Sequence, residues 1–241
     1  MKKYQPEKIH QIVFKISGEI LAGKKGFGIN LDSVNQIVDE LIAVKKLGYR
    51  IGVVLGGGNF FRGSSEIGKN LNRVTADNVG MLATIQNALI VSEILNNRNY
   101  QTEIFSAIQL DKVAKFYSPS RAVTSMKEGK ICFFCGGTGN PFFTTDTAAV
   151  LRAIELGSDI VMKGTKVDGV FTADPEKDKK AEFISDIGFD EVLMRKLKVM
   201  DMTAFSLARE YDKPVKVFNI LKKGSLLKAI QSKDSGTFIH S

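Results

Sequence analysis

The chain has 241 residues, 44% of them apolar and 25% charged, a balance that suits a globular protein able to bury a sizeable core. No apolar run approaches the roughly 18 residues that a bilayer span needs, and the basic start MKKYQPEKIHQ leads into no apolar signal core, so a cytoplasmic protein without a membrane segment is expected. The net charge is +8, but Lys and Arg are scattered, often follow acidic residues, and accompany no aromatic RNA-binding motif; this predicts a solvated surface that attracts anionic metabolites, with no nucleic-acid partner.

Taken in chain order, QIVFKIS (11–17) reads as a short β-rich apolar strand, and LDSVNQIVDELIAVKKL (31–47) as a helix with apolar residues at helical spacing, stopped by Gly48. RIGVVLG (50–56) is a second strand, and residues 74–97 form a long helix that Thr75 would cap. TEIFSAI (102–108), KICFFCG (130–136) and DIVMKG (159–164) are further strands. After Gly164 the segment KVDGVFTADPEKDKKAEFI carries a D-G turn, a D-P break and a charge run, which predict a hairpin and a mobile surface loop. The tail reads as helices near 188–197 and 201–211, a strand at 214–220, a helix at 223–230 and a last strand at 237–240. Strand and helix alternating in this way predict a three-layer α/β sandwich with a mostly parallel central sheet and helices on both faces. The length favours one domain over 1–241, of one or two lobes.

Cys132 and Cys135 have C-x-x-C spacing, but KICFFCGG reads as a buried strand in which residues three apart face opposite ways, so packing is the expected role. His10 and His240 lie at opposite ends of the chain. No His/Cys zinc cluster and no mid-chain histidine base can be formed, and any chemistry falls to Lys, Asp and Thr.

Four strands end in unusual corners: KISGE (15–19), GGGNFFRG (56–63), GGTGNPFFTTD (136–146) and KGTKVDGV (163–170). In a parallel α/β sheet these corners converge at the carboxyl edge, where ligands bind, and glycines there let backbone N–H groups approach a phosphate. GEILAGKK (18–25) nearly fits the P-loop, yet Lys25 stands where a magnesium-binding hydroxyl belongs and the loop runs on through Gly26, Phe27 and Gly28. The dinucleotide fingerprint fails too, because its third glycine is replaced by Phe61 in one corner and Phe142 in the other. What remains suits phosphoryl transfer without a general base, which needs fixed positive charge and alignment. Lys15 and Lys163 are the candidates. Asp146 stands at a helix start, where the helix dipole alone would favour an acid; whether it also holds the lysines is open at this level.

These residues resemble the amino acid kinase superfamily, and within it the bacterial uridylate kinases. The resemblance covers nearly the whole chain and rests on KISGE (15–19), GFGI (26–29), GVVLGGGNFFRG (52–63), DNVGMLAT (77–84), GTGNPFFTTDTAA (137–149), KGTKVDGVFTADP (163–175), LKVMDMTAFSLAR (197–209) and VFN (217–219). It implies the amino acid kinase-like fold, with an acceptor-nucleotide part near 1–150 and an ATP-binding part near 151–241. It implies transfer of the γ-phosphate of ATP to UMP, with magnesium bridging the β- and γ-phosphates, in the supply of pyrimidine nucleotides and CTP. By the same resemblance Lys15 and Lys163 stabilise the phosphoryl group in flight, Asp146 organises them, and Asp201 is a further acid near the site. UMP would lie against Gly57, Asp77, Thr138, Gly139, Asn140, Pro141, Phe142, Phe143, Thr144 and Thr145, with Asp77 accepting from the ribose hydroxyls. ATP would lie across Lys15, Ile16, Ser17, Gly18, Gly58, Arg62, Thr165, Phe171 and Asp174. Gly23, Lys24, Lys25, Gly26, Phe27 and Gly28 match the region linked to activation by GTP; inhibition by UTP and a homohexamer are implied likewise. Two competing expectations are another superfamily kinase, which should lack Asp77 and GTGNPFFTTD, and a silent UMP or UTP sensor, against which the intact Lys15, Lys163 and Asp146 argue.

Overall fold

The computed structural model describes residues 3–63, 65–173, 175, 177–197 and 199–241. In chain order it contains β1 (Gln11–Ile16), α1 (Gly18–Ala22), α2 (Leu31–Lys46), β2 (Arg50–Leu55), α3 (Glu66–Lys69), α4 (Arg73–Asn97), β3 (Thr102–Ser106), β4 (Lys115–Phe116), α5 (Pro119–Lys127) and β5 (Ile131–Cys135). There follow α6 (Thr145–Glu155), β6 (Ile160–Thr165), β7 (Val170–Phe171), β8 (Phe183–Ile184), β9 (Asp186–Gly188), α7 (Phe189–Met194), α8 (Met202–Glu210), β10 (Val215–Asn219), α9 (Ser225–Gln231) and β11 (Thr237–His240). The nine-stranded sheet has the order β4-β3-β5-β2-β1-β6-β10-β11-β9. Every neighbouring pair in it runs parallel except β10 with β11, so the expected mostly parallel sheet is observed.

Strands covered on both faces should be apolar throughout, and β1 and β5 are buried along their whole length. Alternation then divides the core in two. Ile12, Phe14, Ile16, Ile51, Val53 and Phe133 pack against α2, α4 and α9, while Val13, Val54, Cys132, Phe134 and Val161 pack against α5, α6, α7 and α8. Each large apolar side chain so buried contributes about 1.5–3 kcal/mol. The two cysteines fall into different halves of the core, as the strand period predicts. Burial pushes both thiols up to about 12, which keeps them protonated and inert.

Several local details differ from the sequence expectations. The cap of α4 is Asn72, whose side chain accepts from the Thr75 amide, so the helix begins ahead of Thr75. The helix expected near 188–197 is confined to α7. The hairpin is present as antiparallel β7 and β8. By length and composition α4 could cross a membrane, yet half of its most apolar stretch is buried in this protein, with Ile85, Ala88, Val91 and Leu95 in the core.

Candidate active site

Sheet register creates the centre of the site. Lys15 and Lys163 are direct partners on the adjacent parallel strands β1 and β6, one strand spacing of about 4.8 Å apart. Lys15 follows Val13 in the strand alternation and Lys163 follows Val161, so both point to the face that carries α6. The first turn of α6 places Asp146 over them. Its Oδ1 lies 2.7 Å from Lys15 Nζ and its Oδ2 accepts a 2.5 Å hydrogen bond from Lys163 Nζ. Lys163 Nζ also donates to the Val199 carbonyl at 2.6 Å. One carboxylate therefore orients two ammonium groups at the carboxyl edge of the sheet.

All three side chains are close to fully buried, at 10–12% exposure. Burial works against the charged form of Asp146, but the charges of Lys15 and Lys163 outweigh it and hold the carboxyl below the usual carboxylate range. Burial likewise draws Lys163 below the ordinary lysine value, an effect that Asp146 opposes and the Lys15 charge reinforces. The arrangement is a desolvated, preorganised patch of positive charge able to stabilise negative charge that develops above it.

Asp201 caps α8, accepting from the Ala204 amide at 3.0 Å. It also accepts from Thr144 Oγ1 at 2.5 Å and from Thr147 Oγ1 at 2.9 Å. Thr144 in turn caps α6 by accepting from the Asp146 and Thr147 amides. Asp201 thus ties α8 to the start of α6 and acts on Asp146 through Thr144. The sequence suggests no role for Thr147, and no local signal in it could have done so.

The residues expected to hold the acceptor nucleotide are only partly assembled around one space. Gly57, Asp77, Phe143, Thr144 and Thr145 line a cavity of about 160 Å³, together with Gly58, which was expected on the ATP side, and with Phe61, Gly80, Met81 and Thr84, to which the sequence assigns no site role. Thr138, Gly139, Asn140, Pro141 and Phe142 belong to the adjoining loop but do not line that cavity. Gly57 packs so tightly on α4 that a Cβ would stand 2.6 Å from the Gly80 carbonyl and 2.8 Å from Ala83 Cβ, so only glycine fits. Asp77 Oδ2 accepts from the Phe142 amide and from Arg73 Nε, both at 2.7 Å. Phe142 has φ +72° and is largely exposed, with the Arg73 guanidinium 5.7 Å from its ring.

A larger cavity of about 540 Å³ lies beside the β7–β8 hairpin, where Thr165 and Phe171 meet Val167, Gly169, Pro175, Lys177, Leu197 and Val199. Val199 connects this cavity to Lys163 through its carbonyl. Ile16, Ser17, Gly18, Gly58 and Arg62 lie outside its lining, at the two glycine corners. Ser17 caps α1 by accepting from the Glu19 amide, and Arg62 pairs with Glu19 at 2.7 Å and donates to the Gly58 carbonyl. Asp174 lies outside the described residues. The remaining stretch, Gly23, Lys24, Lys25, Gly26, Phe27 and Gly28, opens as a single 3-10 turn; both lysines are exposed, and exposed Phe27 meets Phe60 edge-on at 6.4 Å.

A model described as the amino acid kinase family matches residues 10–219. Among solved structures, a UMP kinase from Bacillus anthracis superposes with a TM-score of 0.93 at 36% identity, with 96% of this chain and 96% of that chain covered. A UMP kinase from Ureaplasma parvum superposes with a TM-score of 0.92 at 36% identity, covering 97% of this chain and 100% of that chain.

Proposed function

Because the chain belongs to the amino acid kinase family, we propose that it is a UMP kinase, moving the γ-phosphoryl group of ATP directly onto UMP to give UDP and ADP. The observation that carries this reading is the pair of register-matched lysines held by one buried carboxylate, Lys15–Asp146–Lys163. The acceptor oxygen of UMP belongs to a phosphate whose second pKa is about 6, so it is ionised at neutral pH and needs no base. The remaining demands are alignment and charge stabilisation. Lys15 and Lys163 supply positive charge to the moving phosphoryl oxygens. Asp146 keeps both ammonium groups in place, and Asp201, through Thr144 and Thr147, fixes the helix start that carries Asp146.

UMP is assigned to the side of Gly57, Asp77 and the 138–145 loop, and the base and ribose of ATP to the cavity at Thr165 and Phe171, with the phosphates running to Lys15–Gly18, Gly58 and Arg62. Asp77, whose Oδ2 holds the Phe142 amide and Arg73, is assigned to accept from the ribose hydroxyls. Asp146 and Asp201 are committed to lysines and to hydroxyls, a poor fit to a resident ion, so a magnesium ion would be held by the phosphates of ATP and not by these carboxylates. Its chemistry there is to neutralise charge on the β- and γ-phosphates. The division into an acceptor part near 1–150 and an ATP part near 151–241, activation by GTP at 23–28, inhibition by UTP, a homohexamer, a cytoplasmic location and a role in CTP supply belong to the same proposal. A steady-state assay offering UMP, CMP, dTMP, carbamate and N-acetylglutamate with ATP and magnesium tests it. UMP is expected to turn over fastest; faster turnover of another acceptor overturns the assignment.

A further inference from the structure

Asn59 and Asn87 are both fully buried, and neither belongs to the lining of either cavity beside the lysines. Their amides pair reciprocally: Asn59 Nδ2 donates to Asn87 Oδ1 at 2.9 Å, and Asn87 Nδ2 donates to Asn59 Oδ1 at 2.8 Å. The second N–H of each goes to a different loop. Asn59 donates to the Gly28 carbonyl at 2.9 Å, and Asn87 to the Gly56 carbonyl at 2.7 Å. The Gly28 amide returns a bond to the Asn59 carbonyl at 2.8 Å, so Gly28 is held from both sides. Gly18 closes the assembly, since a Cβ there would stand 2.6 Å from the Gly56 carbonyl and closer still to Asn59 Oδ1.

Four segments thus meet at one satisfied amide pair: the Ser17–Gly18 corner, the 23–28 loop, the Gly56–Gly58 corner and α4. A buried polar pair with every donor used fixes relative position more sharply than apolar contacts, because any slip leaves a group unpaired. Asp77 rides on α4 and Gly57 on the corner, so the pair sets the distance between them. We propose that Asn59 and Asn87 are positioning residues, a clasp that holds the acceptor side of the site in register and couples it to the 23–28 loop without touching substrate. This rests on Gly57 and Asp77 as UMP contacts.

The test uses Asn87→Leu and the double variant Asn59→Leu/Asn87→Leu in the full-length protein, with UMP kinetics, thermal unfolding and amide exchange at Gly28. In Asn87→Leu the KM for UMP is expected to rise about tenfold or more while kcat falls less than about threefold, because α4 shifts and the lysines do not. Gly28 exchange is expected to quicken about tenfold, although the side-chain bonds of Asn87 go to Asn59 and Gly56 and not to Gly28. The double variant removes both amides of the pair but leaves the Gly28 and Gly56 carbonyls without their side-chain donors, so Tm recovers only in part relative to the single variant, yet KM stays high. If KM returns to the wild-type value together with Tm, or if Gly28 exchange is unchanged in Asn87→Leu, the clasp is structural only and the proposal fails. Wild-type turnover of UMP in the same assay separates these outcomes from a wrong substrate, and the exchange result stands whichever acceptor is used.

Discussion

Replacing Asp146 by Asn keeps the shape of the side chain and removes the charge that both lysines share. The carboxylate sits 2.7 Å from one ammonium and 2.5 Å from the other with its side chain 12% exposed, so solvent can replace little of what is lost. Breaking a buried ion pair by deleting one partner costs about 3–5 kcal/mol. The two lysines left across one strand spacing repel by about 3 kcal/mol at an effective dielectric constant of 20. A loss of 3–5 kcal/mol in a chain of this size lowers Tm by roughly 6–20 °C. Turnover is expected to fall at least about a hundredfold, since both ammonium groups lose their orientation. The pH dependence carries its own sign. Lowered by the lysine charges, Asp146 contributes stability above the unfolded carboxylate value of about 3.9, and this is lost as pH falls through its folded value. Thermal unfolding of both proteins from pH 3 to 10 should therefore show a gap at neutral pH that begins to narrow at the acid end. Equal Tm and equal kcat at pH 7 would refute the shared-carboxylate reasoning.

Lys163→Met should lower kcat at least about a hundredfold while UMP affinity stays within about threefold, as steady-state rates and equilibrium titration can show; a fall in affinity alone would make Lys163 a binding residue. Asp77→Asn should do the opposite, raising the UMP KM and weakening the preference for ribose over deoxyribose, and an unchanged KM would remove Asp77 from the acceptor site. Lys216 is fully buried, donates to the Lys233 carbonyl at 2.7 Å, lies 4.3 Å from the Tyr4 ring centre, and is lowered by burial to about 8. Below that pH it is charged in both folded and unfolded states and its burial penalty is complete; between about 8 and 10.5 the folded protein sheds the proton first, so stability rises with pH by up to roughly 3 kcal/mol. Chemical denaturation of wild type and Lys216→Met across pH 7–11 should show this extra rise in wild type only.

The outline of the fold is legible because β1, β2, β5 and β6 are short apolar runs ended by glycine or polar corners, and α2 has a clean helical period. β4 and β9 are not legible, since two or three residues set no pattern and their pairing comes from neighbouring strands. Lys15 and Lys163 stand out as lysines at strand ends beside glycine turns. That they are partners in register, with one carboxylate between them, depends on which strands neighbour one another, which period and composition do not encode. Asp201 is legible as a helix-start acid, but its bonds to Thr144 and Thr147 cross more than fifty residues of sequence. The Asn59–Asn87 pair is hidden for the same reason, because two polar residues 28 apart give no local sign of meeting. Asp77, expected to meet a ribose, here accepts through Oδ2 from the Phe142 amide and from Arg73, and the first of these bonds reaches 65 residues along the chain.

The most direct test of phosphoryl transfer over a lysine pair uses ATP made chiral at its γ-phosphorus, incubated with UMP and magnesium, followed by stereochemical analysis of the β-phosphorus of the UDP formed. Direct in-line transfer with no covalent enzyme intermediate predicts labelled UDP with inverted configuration. Retention of configuration, or no label in UDP, would contradict it.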